Sequence, residues 1–386
     1  MAENHNTLVE VERPRRRFRP PSRGQLLNWL PFIAVVLLGA ILRFWGLGDK
    51  PLHHDESLHA YFSWQLMLDM GNWIGCATGQ ISCYQYDPLL HGPFQFHIIA
   101  LTYKIAQVLG APDHGINTTT VRIPAATLGT LIVALPYLLR DYLGKWGAWL
   151  SMLFLAVSPS MVYFSRFARE DIYMACFTMM LAIGVVRYVQ SRQLRWMMLA
   201  ACGFALSYAT SEATFLTIAI FGSFLGGLIL WELGLRVPVR SRFSEQATAW
   251  YIPRTAAPLF LLLYVVIGGL FAKAALGILD YLSTYSNDPK TQPFANAFVA
   301  NLKRDTVALV PWLGIILGVY VLSILWREYN GKLPRPGRNR IAAQIDPQNQ
   351  RMLDTIFTMP WTHWFFALLS AWAIFLVLFT VLFTNI

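Results

Sequence analysis

The sequence predicts an all-α protein, a polytopic bundle of about nine transmembrane helices. Of its 386 residues, 55% are hydrophobic and only 13% are charged, whereas soluble domains carry about 25% charged residues. Apolar runs recur along the chain, and several approach the roughly 20 residues that a helix needs to cross the hydrocarbon core. The 14 Trp and 16 Tyr residues suit aromatic belts at the two membrane interfaces.

The first 27 residues are polar and rich in Pro and Arg. We predict that they form a disordered basic tail in the cytoplasm, close to anionic lipid headgroups, and that 28–386 form a single transmembrane domain. The net charge of +10 does not indicate a nucleic-acid partner. The basic residues lie in short loops beside apolar spans, which is the positive-inside pattern.

The predicted spans lie near 28–46, 120–140, 146–164, 172–188, 195–210, 213–232, 256–278, 306–326 and 362–384. Arg and Lys concentrate in every second connection, from the one with Arg140 and Lys145 to the long loop 327–361. This alternation predicts a multi-pass protein of the plasma membrane, with its N-terminus in the cytoplasm and its C-terminus outside.

The first outer loop, 47–119, contains two apolar stretches that we do not predict to be spans. Residues 57–70 and 91–110 interleave apolar with polar side chains, which is typical of helices lying in the membrane interface. In the alternative interpretation 91–110 is a true span. That would invert every later helix and put the Arg-rich loops outside.

The four cysteines fall into two pairs. Cys176 and Cys202 lie within predicted spans, where cysteine behaves as a small apolar residue. Cys76 and Cys83 share the outer loop, where an oxidising exterior permits a disulfide. The sequence leaves open whether these two form that disulfide or remain free thiols.

Two charged clusters are predicted at the outer face. The first follows the first span and reads His53-His54-Asp55-Glu56; the second, in the outer loop 164–171, supplies Arg166, Arg169, Glu170 and Asp171. If the first outer loop folds back over the bundle, the clusters meet. Carboxylates at a membrane edge cost free energy unless they pair, bind metal or take part in chemistry.

Three kinds of chemistry suit such clusters. One carboxylate could act as the general base on an acceptor hydroxyl. Asp55, Asp171 and His54 could hold a divalent cation such as Mg²⁺ or Mn²⁺. The neighbouring arginines suit a phosphate group. In the alternative interpretation these are solvated loop charges, and Asp171 only stabilises the start of the next helix.

Four segments resemble the GT-C superfamily of membrane glycosyltransferases, which includes protein O-mannosyltransferases and lipid A aminoarabinose transferases. They are Leu42-Arg43 through His54-Asp55-Glu56, His91-Gly92-Pro93-Phe94, Arg122-Ile123-Pro124 and Phe164-Ser165-Arg166-Phe167-Ala168-Arg169-Glu170-Asp171. The chain looks most similar to the prokaryotic family of flippase-activity-associated proteins of protein glycosylation. The resemblance covers 28–232 well and the rest loosely.

The resemblance implies roles for these residues. Asp55 is expected to be the catalytic base, Glu56 to support it, and Asp171 to lie near the metal or the acceptor. The expected partners are membrane lipid, a polyprenyl-phosphate sugar and a protein, lipid or glycan acceptor. The residues expected near the donor phosphate are Arg166, Arg169 and Arg122, and those completing the site are His53, His54, Glu170 and His91.

This chain departs from the superfamily in two respects. Many relatives carry a lysine after the fifth span that contacts the lipid phosphate, whereas this chain has Thr210-Ser211-Glu212. Relatives also continue with further spans, so the resemblance implies a form shortened at the C-terminus. The alternative function is a non-catalytic flippase partner or scaffold of a glycosylation pathway. A transporter is disfavoured, because transporters bind their substrates near the middle of the membrane.

Overall fold

The computed structural model describes residues 23–85, 92–235, 256–270 and 346–383, together with isolated positions between 273 and 326. These residues form helices and turns, with no strand among them, so the all-α prediction is confirmed. Most of the predicted basic tail, most of the predicted span near 306–326 and much of the loop 327–361 lie outside the described residues.

The helices are, in chain order, α1 (Arg23–Phe44), α2 (His54–Met70), α3 (Trp73–Ala77), α4 (Phe94–Val108), α5 (Thr118–Ala134), α6 (Arg140–Val157), α7 (Pro159–Ser165), α8 (Glu170–Ser191), α9 (Leu194–Tyr208), α10 (Thr214–Gly234), α11 (Ala257–Leu270), α12 (Arg351–Thr358) and α13 (Trp361–Phe379). The first helix therefore begins a few residues before the predicted boundary at 28. Short 3₁₀ turns at Asp113–Gly115 and Leu135–Leu139 join neighbouring helices.

Four helical segments of the described chain are long and apolar enough to cross a bilayer: Thr118–Val157, α8, α10 and α13. The first has 40 residues, which corresponds to about 60 Å of helix, twice the thickness of the hydrocarbon core. It is divided by the turn at Leu135–Leu139 and by Gly144, whose φ of 72° is left-handed. This segment therefore supplies two predicted spans. Three further apolar helices are shorter than these four segments. They are the apolar part of α1, the whole of α9 and α11.

The prediction of one continuous span over 146–164 is wrong at Ser158. Helix α6 ends at Val157, and Ser158 has a ψ of 121°, outside the helical region. The next residue is Pro159, the first residue of α7. A proline disfavours the helical conformation of the residue before it, which explains the break.

Helices α8 and α9 form a closely packed antiparallel pair. A Cβ added at Gly184 would lie 2.6 Å from the Ala200 nitrogen, and one at Gly203 would lie 2.8 Å from the Phe177 carbonyl oxygen. Small residues at these crossings let two backbones approach, which is a common way for membrane helices to associate. Tyr173 and Phe177 of α8 belong to the apolar core that this pair shares with α5.

Helix α4 lies across one end of the bundle. The Phe94 nitrogen donates to the Ala209 carbonyl just after α9 (2.8 Å), and the Gln95 side chain donates to the Ala168 carbonyl just before α8 (2.6 Å). The chain then enters α5 through Asn117, which caps its first turn. Both ends of α4 thus connect to the same end of the bundle, which favours an interfacial helix over the alternative of a span.

The opposite end brings together segments that the charge pattern assigns to one side. Arg192, between α8 and α9, pairs with Asp354 of α12 at 2.6 Å. Glu232, near the end of α10, accepts hydrogen bonds from the backbone nitrogens of Met352 and Leu353. These contacts agree with the predicted alternation of loops, and the absolute orientation in the membrane stays a prediction.

Candidate active site

A buried ion pair between Glu56 and Arg122 fixes the frame of the candidate site. Glu56 Oε1 accepts hydrogen bonds from Arg122 Nε (2.8 Å) and Ala168 N (2.9 Å), and Oε2 accepts from Arg122 Nη2 (2.7 Å) and His53 N (3.0 Å). The Glu56 side chain is wholly buried. One carboxylate therefore joins α2, α5 and the loop before α8.

The ion pair also determines the charge of Glu56. Burial raises the pKa of this carboxyl group. The hydrogen bonds from Arg122 and from the His53 and Ala168 nitrogens lower it by a larger amount. The net shift is downward, so Glu56 is ionised at neutral pH. With both oxygens occupied by the protein, Glu56 supports the site and leaves the more exposed Asp55 as the candidate base.

The prediction that Arg122 binds the donor phosphate needs correction. Besides Glu56, its guanidinium donates to the carbonyl oxygens of Leu47, Lys50 and Pro51, at 2.9 to 3.0 Å. Every N–H group of the side chain is thus engaged within the protein, and the residue is 4% exposed. Arg122 holds the first outer loop against α5 and has no donor left for a phosphate.

Arg166 and Arg43 hold the second loop against the first helix. Arg166 donates to the carbonyl oxygens of Leu42, Trp45 and Gly46, where α1 ends. Arg43 is wholly buried and donates to Ser165 Oγ at 3.1 Å, and also to carbonyl oxygens at the end of α6. Sequence reasoning assigned Arg43 no role, although a lone charge in the first apolar span was the available signal.

Arg169 lies among three carboxylates and brings the two predicted clusters together. Its guanidinium nitrogens are 3.7 Å from Asp55 Oδ2, 3.4 Å from Glu170 Oε1 and 3.9 Å from Asp171 Oδ2. The side chains of Asp55 and Asp171 are 40% and 44% exposed. Two accessible carboxylates, one in the first turn of α2 and one in the first turn of α8, therefore border one cation. Arg169, rather than Asp171, occupies the N-cap of α8.

The neighbouring carboxylates keep the Arg169 guanidinium protonated. Burial lowers the pKa of the guanidinium, and the negative charges of Glu170, Asp171 and Asp55 raise it by more. Arg169 therefore remains a cation at any physiological pH. About a third of its side chain is exposed, so a phosphate oxygen can approach it.

The histidines beside the cluster have different surroundings. His53 caps α2, and its Nδ1 accepts a hydrogen bond from the Asp55 nitrogen (3.4 Å) and lies 3.8 Å from Asp55 Oδ2. Its ring packs near Phe167. His54 is exposed at the start of α2. His91, the third predicted histidine, lies outside the described residues.

The predicted metal ligands do not form a compact group. Among the described residues, the only three His, Cys, Asp or Glu side chains with ligand atoms within 4.8 Å of one another are Asp69, Cys76 and Cys83, and these two cysteines form a disulfide. Asp55, Asp171 and His54 are therefore not arranged to hold a divalent cation. The positive charge between the two aspartates belongs to Arg169.

Cys76 and Cys83 form a disulfide in the outer loop, a pairing that the sequence alone did not decide. The Cys76–Cys83 bond closes the loop next to Asp69, whose carboxylate accepts a hydrogen bond from the Tyr84 nitrogen (2.6 Å). Trp73 Nε1 donates to the Leu382 carbonyl after α13 (2.7 Å). The end of the described chain after α13 thus meets the first outer loop at this face.

In the segment His91-Gly92-Pro93-Phe94, which carries part of the resemblance, Gly92 lies against the backbone just after α9. Its nitrogen donates to the Thr210 carbonyl (3.0 Å), and a Cβ added there would lie 2.1 Å from the Ala209 carbonyl oxygen. Only glycine fits at this backbone crossing. The carbonyl oxygens of Ala209 and Thr210 thus hold the start of α4 against the end of α9.

The described residues thus form an all-α membrane bundle with accessible carboxylates and a cation at one end. Residues 90–243 match the family model described as dolichyl-phosphate-mannose-protein mannosyltransferase. The match covers less than half of the chain and indicates a membrane glycosyltransferase of the GT-C type. It includes Arg169 and Asp171 and begins after Asp55. No curated protein matches this chain significantly.

Proposed function

We propose that this protein transfers a sugar from a polyprenyl-phosphate donor to a hydroxyl group of a protein, lipid or glycan at the extracytoplasmic face. One observation carries the proposal. Asp55 and Asp171, in the first turns of two helices far apart in sequence, both lie within 4 Å of Arg169, with 40% and 44% of their side chains exposed. Such a site offers a base and a phosphate-binding cation within a few ångströms.

The proposed reaction inverts the anomeric carbon in a single displacement. The acceptor hydroxyl oxygen attacks that carbon while its proton passes to the Asp55 carboxylate. The bond between the anomeric carbon and the phosphate oxygen breaks, and its electron pair leaves with the polyprenyl phosphate. No other reactant is required, since the phosphate is already a good leaving group.

Arg169 has the proposed role of stabilising the leaving phosphate. Negative charge develops on the phosphate oxygens as the bond breaks, and a fixed guanidinium nearby lowers the energy of that state. A phosphate would draw Arg169 away from the carboxylates, which now lie 3.4 to 3.9 Å from it. Asp55 would then face the acceptor. The proposal uses no metal ion, because the predicted ligands do not form a compact group.

The test is the replacement Asp55→Asn, which retains the size of the side chain and removes its basicity. We expect transfer of sugar from polyprenyl-phosphate sugars to fall about 10²- to 10⁴-fold in membranes, the usual contribution of a general base. Asp113→Asn is the matched control. Asp113 is an exposed aspartate of the same outer loop, and asparagine tolerates its φ of 56°.

Two results would contradict the proposal. If Asp55→Asn transfers sugar as fast as the native chain, Asp55 is not the base. If the native chain transfers no sugar while it remains folded, the result supports the alternative function of a non-catalytic scaffold. One observation favours that second function: the segment Thr210-Ser211-Glu212 lacks the lysine that the resemblance leads us to expect there.

A further inference from the structure

The loop that the Cys76–Cys83 disulfide closes exposes three large apolar side chains. Trp73, Ile74 and Ile81 are 45%, 71% and 44% exposed, and all three line one open depression of about 610 Å³. We call these three residues the loop patch. Apolar side chains that lie together on a protein surface usually mark a contact with a partner protein or with a membrane.

The sequence around the loop patch carries no charge. No Asp, Glu, Lys or Arg occurs between Asp69 and Asp87, whereas soluble domains average about 25% charged residues. Tryptophan and large apolar side chains are favoured at the boundary between lipid headgroups and acyl chains. The composition of this stretch therefore suits a lipid surface better than water.

A contact with the end of α13 puts the loop patch at the level of the membrane surface. Helix α13 has 19 residues, which corresponds to about 28 Å of helix and matches the thickness of the hydrocarbon core. The Trp73 indole N–H donates to the carbonyl oxygen of Leu382 (2.7 Å), three residues beyond that helix. Because a crossing α13 ends at the edge of the hydrocarbon core, Trp73 lies in the interfacial layer.

Packing around the end of α13 connects this level to α2 and α9. Val381 is almost wholly buried in an apolar cluster that includes Leu66 and Met67 of α2. The ring centroid of Tyr208, the last residue of α9, lies 5.4 Å from that of Phe375 of α13. The second half of α2 therefore lies at the level where these two helices end.

The exposed side of α13 favours lipid over a partner protein at the loop patch. Trp372 and Leu376 of this helix are 62% and 44% exposed, which is expected of a membrane helix that faces acyl chains. The loop patch lies beside the turn that follows this helix. Lipid that covers the exposed side of α13 is therefore already next to the loop patch.

We propose that the loop patch inserts into the lipid interface at the end of the bundle where α2 and α4 lie. Ile74 lies among the acyl chains and Trp73 at the headgroup boundary, where its apolar ring and its N–H group both find partners. The occupant is phospholipid, and the inference does not depend on sugar transfer. Helix α2 is then attached at both ends, through the Glu56–Arg122 ion pair at its start and through lipid just after its last turn.

The test replaces Ile74 by the photoreactive amino acid p-benzoylphenylalanine in the full chain, held in nanodiscs of phosphatidylcholine. The same replacement at Ile81 is a second, independent position; both side chains are exposed, so the fold should accept the change. On irradiation the loop peptide should gain the mass of one phospholipid. Alkaline hydrolysis should then leave the mass of a fatty acid on the peptide, because the ketone reacts with the acyl chains that it touches.

Ser57 is the matched control, because it is exposed on α2 beside Asp55, at the end of the helix away from the loop patch. The same replacement there should give no fatty-acid adduct. Fatty-acid adducts at Ser57 as well would overturn the proposal, since lipid would then cover the whole of α2. Absence of a lipid adduct at both loop positions, or adducts confined to the headgroup, would also overturn it. Crosslinks to another segment of the chain would show that protein covers the loop patch instead.

Discussion

The arginines near the site differ in what surrounds them, and burial decides what each can do. Arg122 and Arg43 are almost completely buried, and their N–H groups bond to carbonyl and side-chain oxygens of the protein. Arg169 is about one-third exposed and faces carboxylates. A buried guanidinium that satisfies several backbone carbonyls holds segments together, whereas an accessible one can bind a ligand. The sequence cannot distinguish them, because each is an arginine next to an apolar run.

At the scale of residues, Glu56→Gln tests the structural role of the ion pair. We expect a loss of about 3–5 kcal/mol in the free energy of unfolding, because the replacement leaves the Arg122 charge buried and uncompensated. The measurement is thermal unfolding in detergent at neutral pH. An unchanged unfolding temperature would show that the pair contributes no net stability.

The same pair predicts a pH dependence. Because the pKa of Glu56 is lower in the folded chain than its ordinary value of 4.5, its contribution is fully present above about pH 4.5 and is lost as the pH falls through the folded value. The unfolding temperature of the native chain should therefore fall in this acid range. Glu56→Gln should lack this part of the decline, while Asp113→Asn should retain it.

At the scale of elements, the sequence predicted the helices well where apolar periodicity and length decide them. The spans near 172–188 and 195–210 correspond to α8 and α9, and the interfacial stretch 91–110 corresponds to α4. Periodicity could not predict the break at Ser158, which depends on the proline that follows. It also could not predict the bond from Gln95 to the Ala168 carbonyl, because only tertiary packing brings α4 to the start of α8.

Gly92→Ala tests how α4 is positioned. Its added Cβ would lie 2.1 Å from the Ala209 carbonyl oxygen, so α4 must move away from the end of α9. We expect a clear drop in the unfolding temperature, because the shift would also disturb the bond from Gln95, on the same helix, to the Ala168 carbonyl. Gly222→Ala is the control: nothing lies within 4 Å of its added Cβ, and alanine favours the helix there. Equal stability of the two variants would contradict this account of Gly92.

At the scale of the whole molecule, the two ends of the bundle have different chemistry. One end gathers α2, α4 and the carboxylates around Arg169; the other gathers Arg192, Glu232 and α12. The charge pattern predicted which segments share an end, because loop charges must alternate with each crossing. It could not predict that Glu56 and Arg122 would join into one pair, since that depends on how the outer loop folds back.

The orientation of the bundle can be tested with single cysteines and a maleimide that does not cross membranes. Asp113→Cys should react in intact cells, because Asp113 is exposed at the end that the positive-inside rule assigns to the exterior. Gln348→Cys, exposed at the other end, should react only after the cells are opened. The unsubstituted chain is the control: Cys76 and Cys83 are joined, and Cys176 and Cys202 lie within helices of the bundle. The reverse pattern would put the Arg169 carboxylate cluster in the cytoplasm, where the acceptor and the sugar donor would have to be found instead.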